Sequence, residues 1–269
     1  MSSRDIRDIL FDGALNRRVT AVLTVTSEGI IAGAERLKKK AEEIGVEIKE
    51  IANDGDHVEM GEVVVRFAGS PKQVALAEDT FIALLSKPSG IATAAAKAVA
   101  LSHGKFRIVS GGWKKMPVEI KDIVREAQAI GKVGVRVTEE PFVYLDKNYI
   151  RIFGGITAAL RRAEKIKDRL KVVQLKGERK TIAEETKEAV MGGADILMID
   201  TGNPRDITPA VNELNRLNSR RKVKLGFAGG VKLSEIPSFL EEDIDILEIG
   251  REIIDAPLLD MRVDVVGTS

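Results

Sequence analysis

The chain from about residue 105 onward alternates short apolar stretches with charged, amphipathic ones, and this alternation limits the fold more than any other feature. The apolar stretches predict buried strands, and the charged stretches have the three- and four-residue apolar spacing of helices with one buried face. Strand and helix take turns at intervals of roughly 20 to 30 residues, which is typical of a parallel sheet with crossover helices. The predicted strands are 106–109, 133–137, 149–153, 172–175, 196–199, 224–227 and 244–249, and the predicted helices between them are 118–130, 158–168, 182–191 and 207–217.

We therefore predict an α/β fold with two domains. Residues 105–255 should form an incomplete, seven-strand α/β barrel. Residues 1–104 have a different pattern, in which β-type stretches and turn residues surround a helix at 34–44, and we predict an N-terminal α/β sandwich domain that residues 256–269 complete. The stretch 70–101 has helical spacing on both sides of Pro88-Ser89-Gly90, which predicts two consecutive helices.

Composition excludes several kinds of function. The 269 residues contain no cysteine, which excludes thiol catalysis and disulfides. They contain two histidines, which argues against a metal site built from several histidines. The formal net charge of +1 argues against nucleic acid as a partner. The charged first residues have no secretory pattern, and no apolar run reaches the length of a membrane span, so we expect a cytoplasmic protein without a membrane partner.

Glycines follow two successive predicted strands. GFAGG ends in Gly229 and Gly230, and DILEIG ends in Gly250. In α/β barrels, backbone amides after the last two strands commonly bind phosphate, and a glycine lets a phosphate oxygen approach the main-chain N–H closely. The glycines could also simply end strands and open turns. If they form a phosphate site, Gly229→Val and Gly250→Val should each abolish phosphosugar binding and leave the fold intact.

Asp200 ends the apolar strand of DILMID and should point into the same end of the barrel. Capping of the following turn is the alternative role for such an aspartate. Trp113, the one tryptophan of the chain, lies among glycines and lysines that suit a loop, so its ring could stack on an aromatic ligand, although a core position is also open.

Together these residues resemble the quinolinate phosphoribosyltransferases, the carboxylating nicotinate-nucleotide pyrophosphorylases. The most specific match is Ser89-Gly90-Ile91-Ala92-Thr93, within a stretch similar to the family's helix-loop-helix. Further matches, which extend over essentially the whole chain, are GIIAG at 29–33, the DGD and GE turn at 54–62, Lys114-x-x-Pro117, LDKNY at 145–149, GADILMID at 193–200, Ala228-Gly229-Gly230 and Leu259-Asp260-Met261.

The resemblance implies transfer of phosphoribose from phosphoribosyl pyrophosphate to the ring nitrogen of quinolinate, with loss of pyrophosphate and carbon dioxide to give nicotinate mononucleotide. It also implies Mg²⁺ that accompanies the diphosphate, with Asp200 as its ligand, and a homodimer or a higher assembly of dimers with a shared site. The candidate catalytic residues are Lys114, Arg136 and Asp200. The candidate substrate-binding residues are Trp113, Lys115, Lys147, Gln174, Ala228, Gly229, Gly230 and Gly250.

Departures from the family pattern concentrate where the family binds its acid substrate. Asp79 stands in place of an arginine, Trp113 in place of another arginine, and Asp146 in place of a lysine. The histidine of a His-Arg pair is Val135, and a family carboxylate is Gln174. We therefore expect quinolinate to be a poor substrate, and an acceptor with one carboxylate or none to fit better.

Three alternatives stay open at this point. The protein could be a paralogue that acts on a different aromatic acceptor, or a phosphosugar-binding protein without catalysis. It could also be a barrel aldolase that uses Lys176 as a Schiff-base amine, since this lysine follows the strand at 172–175.

Overall fold

The computed structural model describes residues 5–14 and 16–269, which divide into two compact units. The first unit comprises Met1–Ala96, Met116–Lys132 and Ile253–Ser269, and the second comprises Lys97–Lys115 and Val133–Glu252. The helices are α1 (Ile6–Leu10), α2 (Ala34–Ile44), α3 (Pro71–Leu101), α4 (Val118–Ile130), α5 (Lys147–Phe153), α6 (Ile156–Ala163), α7 (Ile182–Met191), α8 (Ile207–Arg216) and α9 (Arg251–Ile254). The strands are β1 (Val19–Val25), β2 (Gly29–Ile30), β3 (Glu47–Ile51), β4 (His57–Val58), β5 (Val63–Gly69), β6 (Arg107–Val109), β7 (Phe142–Leu145), β8 (Leu170–Leu175), β9 (Ile196–Asp200), β10 (Lys224–Ala228), β11 (Ile246–Glu248) and β12 (Met261–Thr268).

The first unit contains a four-stranded antiparallel sheet in the order β12-β1-β5-β3. The C-terminal strand β12 pairs with β1, so the end of the chain supplies one edge of this sheet. Phe67 of β5 and Phe81 of α3 pack edge to face, with ring centroids 5.1 Å apart, in the apolar core of the unit. The helix therefore covers the buried face of the sheet.

The stretch 70–101 forms one helix, α3, so the prediction of two helices is wrong. Pro88 lies inside α3 and cannot donate a hydrogen bond to the carbonyl of Leu84, one turn earlier. That carbonyl lies against Gly33, where a Cβ atom would overlap it. Proline has a backbone dihedral that suits a helix, so the helix continues through Pro88 where the surrounding packing supports it.

Ser89, Gly90 and Thr93 hold α3 against its neighbours in the first unit. The hydroxyl of Ser89 accepts a hydrogen bond from the Ala32 N–H at 2.9 Å, and that of Thr93 accepts one from the Ile30 N–H at 2.8 Å. A Cβ atom on Gly90 would overlap the carbonyl oxygen of Pro257. The most family-specific motif of the sequence therefore has a packing function.

The second unit is built on a six-stranded parallel sheet in the order β6-β11-β10-β9-β8-β7. Val109 of one edge strand and Phe142 of the other lie in the same apolar cluster, so the sheet is strongly curved. The α/β class is confirmed. The predicted strand at 133–137 contributes a single bridge, between Gly134 and Val109, so six strands are paired where seven were predicted.

The predicted strand at 149–153 is wrong, because this segment belongs to helix α5 and the strand before it is β7. Asp146 caps α5, since its carboxylate accepts hydrogen bonds from the N–H groups of Asn148 at 2.8 Å and Tyr149 at 3.0 Å. Gly154 ends the helix in a left-handed conformation. Within the described residues, no helix combines the length and the apolar character that crossing a membrane requires.

Candidate active site

Three polar side chains share one level at the carboxyl ends of the second unit's strands. Gln174 on β8, Asp200 on β9 and Glu248 on β11 each lie two residues beyond a member of the apolar cluster, and side chains of a strand alternate between faces. The three side chains therefore lie on the same face of the sheet as this cluster. Ala228 pairs with Asp200 and is next to Glu248 in register, so a small side chain separates the two carboxylates. We call Gln174, Asp200 and Glu248 the polar layer.

Neighbouring polar groups orient Asp200 within the polar layer. Its Oδ2 accepts a hydrogen bond from the Nε2 of Gln174, and the Oε1 of Gln174 accepts one from the Lys147 N–H at 2.7 Å. The Nζ of Lys176 donates to the Asp200 carbonyl and lies 3.7 Å from its Oδ2. Asp200 Oδ1 makes no hydrogen bond within the part of the chain that the structure describes, so it is available to a ligand.

Lys176 therefore stabilises Asp200 and its backbone. An amine that serves as a Schiff-base nucleophile needs a desolvated setting without a carboxylate partner. The two contacts of the Lys176 Nζ with Asp200 argue against the aldolase alternative.

A cavity of about 270 Å³ opens on the same face of the sheet. Its side chains are mostly aromatic and aliphatic, with two cations and one carboxylate among them. We call it the aromatic cavity. It is lined by Val109, Ser110, Gly111, Trp113, Lys114, Val135, Arg136, Val137, Phe142, Tyr144, Met198 and Glu248.

Trp113 and Lys114 lie in a short 3₁₀ turn, Gly112–Lys115, that follows β6. The indole Nε1 of Trp113 donates to the Val135 carbonyl at 3.0 Å, which orients the ring as part of the cavity wall. The Lys114 Nζ lies 5.9 Å from the ring centres of both Trp113 and Tyr144. This ammonium group has no hydrogen bond or ion pair among the described residues, so it is free to contact a ligand anion.

Glu248 is a candidate site residue that the sequence analysis missed. Its Oε1 accepts a hydrogen bond from the Gly111 N–H at 3.2 Å. Burial raises the pKa of Glu248, against the lowering effect of that hydrogen bond, and the charge of Asp200 raises it further. Burial, followed by the charges of Glu248 and Asp200, also raises the pKa of Tyr144, so the phenol is neutral at pH 7. The signal was present, since Glu248 lies inside DILEIG at an alternate position from Ile246.

The strand-end glycines differ in what surrounds them. A Cβ atom on Gly230 or Gly250 would meet no atom within 4 Å, so both leave open space for a ligand. Gly229 has a φ of +122°, and a Cβ there would overlap the backbone of Gly202. The expectation that Gly229→Val leaves the fold intact is therefore wrong, and Gly250 is the better position for a test.

A second cavity, of about 230 Å³, lies beside the polar layer and is rich in charged side chains. Arg151 is paired with Glu178 at 2.6 Å, and Lys180 with Glu188. Lys147, also on the wall, has no ion pair among the described residues. The Oε2 of buried Glu185 accepts hydrogen bonds from the Lys176 and Gly177 N–H groups, at 2.8 and 3.0 Å, and so holds the loop after β8. The structure places Lys147 and Gln174 at this cavity, and Trp113, Lys114 and Arg136 at the aromatic cavity.

Two family models match the chain. The model of the N-terminal domain of quinolinate phosphoribosyl transferase matches residues 5–89, and the model of the C-terminal domain matches residues 91–264. The chain belongs to the quinolinate phosphoribosyltransferase family.

Related proteins are similar over most of their length. A probable carboxylating nicotinate-nucleotide pyrophosphorylase of Archaeoglobus fulgidus is 30% identical over 92% of this chain and 94% of its own. The human carboxylating nicotinate-nucleotide pyrophosphorylase is 23% identical over 90% of this chain and 81% of its own. The solved nicotinate-nucleotide pyrophosphorylase of Francisella tularensis superposes with a TM-score of 0.84 at 21% identity, over 99% of this chain and 91% of that one, which supports the fold.

Both acidic departures from the quinolinate phosphoribosyltransferase pattern, Asp79 and Asp146, have local partners. Asp79 forms an ion pair with Arg7 of α1, so its charge is compensated within the first unit. Asp146 caps helix α5. The effect of these two carboxylates on a bound acid is therefore weaker than the sequence suggests. The acceptor that binds is then determined more by the polar layer and the aromatic cavity.

Proposed function

We propose that this member of the family transfers the phosphoribosyl group of phosphoribosyl pyrophosphate to the ring nitrogen of a nitrogen-heterocyclic acid and releases pyrophosphate. The observation that supports this best is the position of the polar layer next to an aromatic cavity that holds an unpaired Lys114. The open glycines Gly230 and Gly250 each lie two residues beyond the end of a strand, β10 with Ala228 and β11 with Glu248.

In this proposal, the open glycines bind the 5′-phosphate through backbone N–H groups. Asp200 and Gln174 orient the ribose and the diphosphate, and Lys114 either stabilises the negative charge that develops on the leaving pyrophosphate or binds the carboxylate of the acceptor. The bond from ribose C1 to the diphosphate oxygen breaks, and a bond from C1 to the ring nitrogen forms. Arg136 and Lys147 add positive charge on the walls of the two cavities, and Lys115 adds a further positive charge that acts on Glu248.

Mg²⁺ is part of the proposal. The residues around Asp200 suit a Mg²⁺ ion that binds together with the diphosphate of the substrate. Among the residues that the structure describes, no three His, Cys, Asp or Glu side chains are grouped to hold a metal ion. Mg²⁺ usually binds through one or two carboxylates together with substrate phosphates, and Asp200 Oδ1 is available for this. Mg²⁺ bound with the diphosphate would neutralise its charge, and Asp200 would hold that complex in place.

The proposal also includes a homodimer, or a higher assembly of dimers, in which residues 70–101 contribute to a site on the partner subunit. It rests on the family resemblance of that segment. Light scattering at micromolar concentration should give at least twice the monomer mass, and a stable monomer would exclude the shared site. A cytoplasmic location stays a prediction from the sequence.

The function is tested by following pyrophosphate release from phosphoribosyl pyrophosphate and Mg²⁺ with a panel of pyridine and other heterocyclic acids. We expect release that depends on the acceptor, at a kcat/KM of at least about 10⁴ M⁻¹s⁻¹ for the best member of the panel. Binding of phosphoribosyl pyrophosphate without release for any acceptor would contradict catalysis and favour a phosphosugar-binding protein.

Gly250→Val should raise the Kd for ribose 5-phosphate at least tenfold. The valine side chain would occupy space that is open beside the backbone of residue 250, and the loss of one phosphate hydrogen bond costs about 1.5 to 3 kcal/mol. Calorimetric titration measures the Kd, and circular dichroism should show an unchanged fold. Gly267→Val, on strand β12 of the first unit, is the matched control and should bind normally. Equal affinity in both variants would remove Gly250 from the phosphate site.

A further inference from the structure

Glu248 brings a carboxylate into the aromatic cavity, where the proposed function places an acid substrate. Oε1 is bonded to the Gly111 N–H, and Oε2 has no hydrogen-bond partner within the described residues. The charges of Lys114 and Lys115 act on Glu248, but neither lysine forms an ion pair with it within 4 Å in that part of the chain. A partly buried carboxylate with one unused oxygen gains from a donor, and a ligand can supply that donor.

The size and the walls of the cavity suit a ligand with one planar ring. Its volume of about 270 Å³ is below the roughly 300 to 1,000 Å³ of sites for drug-sized ligands. Trp113, Tyr144 and Phe142 provide flat apolar walls, which favour a heteroaromatic ring.

The charges in the cavity favour a ligand with fewer carboxylates than quinolinate has. Lys114 and Arg136 line the cavity and can match one carboxylate. A second carboxylate on the same ring would have to share the small space with Glu248, and Asp200 lies at the same level two strands away. Two unit charges about 4 Å apart repel by about 4 kcal/mol at an effective dielectric of 20, so this arrangement disfavours a dianion.

We propose that Glu248 is the specificity-determining residue of the acceptor site, and that it selects a heteroaromatic ring with an N–H donor and at most one carboxylate. This inference rests on the proposed function, because it identifies the aromatic cavity as the acceptor site. The donor, a ring N–H, an amino group or a carboxamide, binds Oε2 of Glu248. Burial leaves the charged form of this carboxylate poorly solvated, and a donated hydrogen bond compensates for part of that loss.

Glu248 could instead only hold the loop at Gly111. In that case, its replacement would change the affinity for all ligands equally. The ratio of the affinities for two similar ligands, one with a hydrogen-bond donor and one without, therefore distinguishes selection of the ligand from support of the loop.

The chain has a built-in probe for this cavity, since its single tryptophan, Trp113, lies on the wall. Fluorescence of Trp113 is titrated with pyridine-3-carboxamide, pyridine-3-carboxylate and quinolinate, in the presence of ribose 5-phosphate and Mg²⁺. The full-length wild type is compared with Glu248→Gln, which keeps the size and the contact to Gly111. Glu241→Gln, an exposed change elsewhere in the second unit, is the matched control.

We expect the wild type and Glu241→Gln to bind the carboxamide at least about tenfold more tightly than quinolinate. In Glu248→Gln this ratio should fall by at least about tenfold, because a glutamine amide can donate to a carboxylate. A preference for quinolinate in the wild type, an unchanged ratio in Glu248→Gln, or no fluorescence response to any of the three ligands would overturn the inference. Pyrophosphate release is measured separately. If the affinity ratios are as predicted but no pyrophosphate is released, the role of Glu248 in ligand selection is supported and the proposed function is contradicted.

Discussion

Replacing Lys114 by alanine is expected to lower kcat/KM for phosphoribosyl transfer about 100- to 1,000-fold, which is the largest effect among the predicted variants. The Lys114 Nζ lies 5.9 Å from the ring centres of both Trp113 and Tyr144 and has no hydrogen bond or ion pair within the described residues. The negative charge on the leaving pyrophosphate grows in the transition state, so a positive charge in a partly desolvated cavity stabilises that state more than the ground state. Steady-state rates of pyrophosphate release, with the best acceptor from the panel, measure the loss.

A matched control shows whether the loss of activity depends on where the lysine lies or only on the loss of one positive charge. Lys224 is an exposed lysine at the amino end of β10, the opposite end of the strand from Ala228. Lys224→Ala should keep kcat/KM within about twofold, since surface substitutions of this kind have small effects. If Lys114→Ala lost less than tenfold, the catalytic role of Lys114 would be wrong.

Asp200→Asn is expected to lower kcat about 100-fold or more and to raise the Mg²⁺ concentration needed for half-maximal activity about tenfold. Asparagine keeps the shape of the side chain but lacks the negative charge that Mg²⁺ prefers in a ligand. It also weakens the contact with Lys176, which is 3.7 Å from Asp200 Oδ2. Mg²⁺ titrations of the initial rate measure both changes.

Asp206→Asn provides the control for Asp200. Asp206 precedes helix α8, and its side chain makes no capping hydrogen bond. The Mg²⁺ titration of this variant should match that of the wild type. A Mg²⁺ requirement that Asp200→Asn leaves unchanged would show that the metal–diphosphate complex is held elsewhere.

Helices with a clear apolar face were predictable from the sequence alone. The bounds of α2, α4 and α7 agree with the predicted 34–44, 118–130 and 182–191, because amphipathic spacing over three turns is a strong signal. The error at 149–153 has a physical reason, since a short apolar run fits a strand or a helix equally well. There the carboxylate of Asp146 decides for the helix.

The candidate site was predictable only where it follows from strand alternation. Asp200 ends an apolar strand, and Gln174 is at an alternate position from Val172, so both could be placed on one face. Glu248 could have been placed in the same way. The packing of Gly229 against Gly202 and the pairing of Asp79 with Arg7 join distant segments, and no local pattern predicts them.

The packing role of Ser89, Gly90 and Thr93 has a consequence for how functions are assigned to relatives of this chain. These residues join helix α3 to the backbone around Ile30, Ala32 and Pro257, so selection for a stable first unit is enough to preserve them. A gene duplicate could change its acceptor and retain this motif unaltered. Substrate names passed between homologues on the strength of Ser-Gly-Ile-Ala-Thr would then be unsafe, whereas the residues that line the aromatic cavity would divide the family into groups by acceptor.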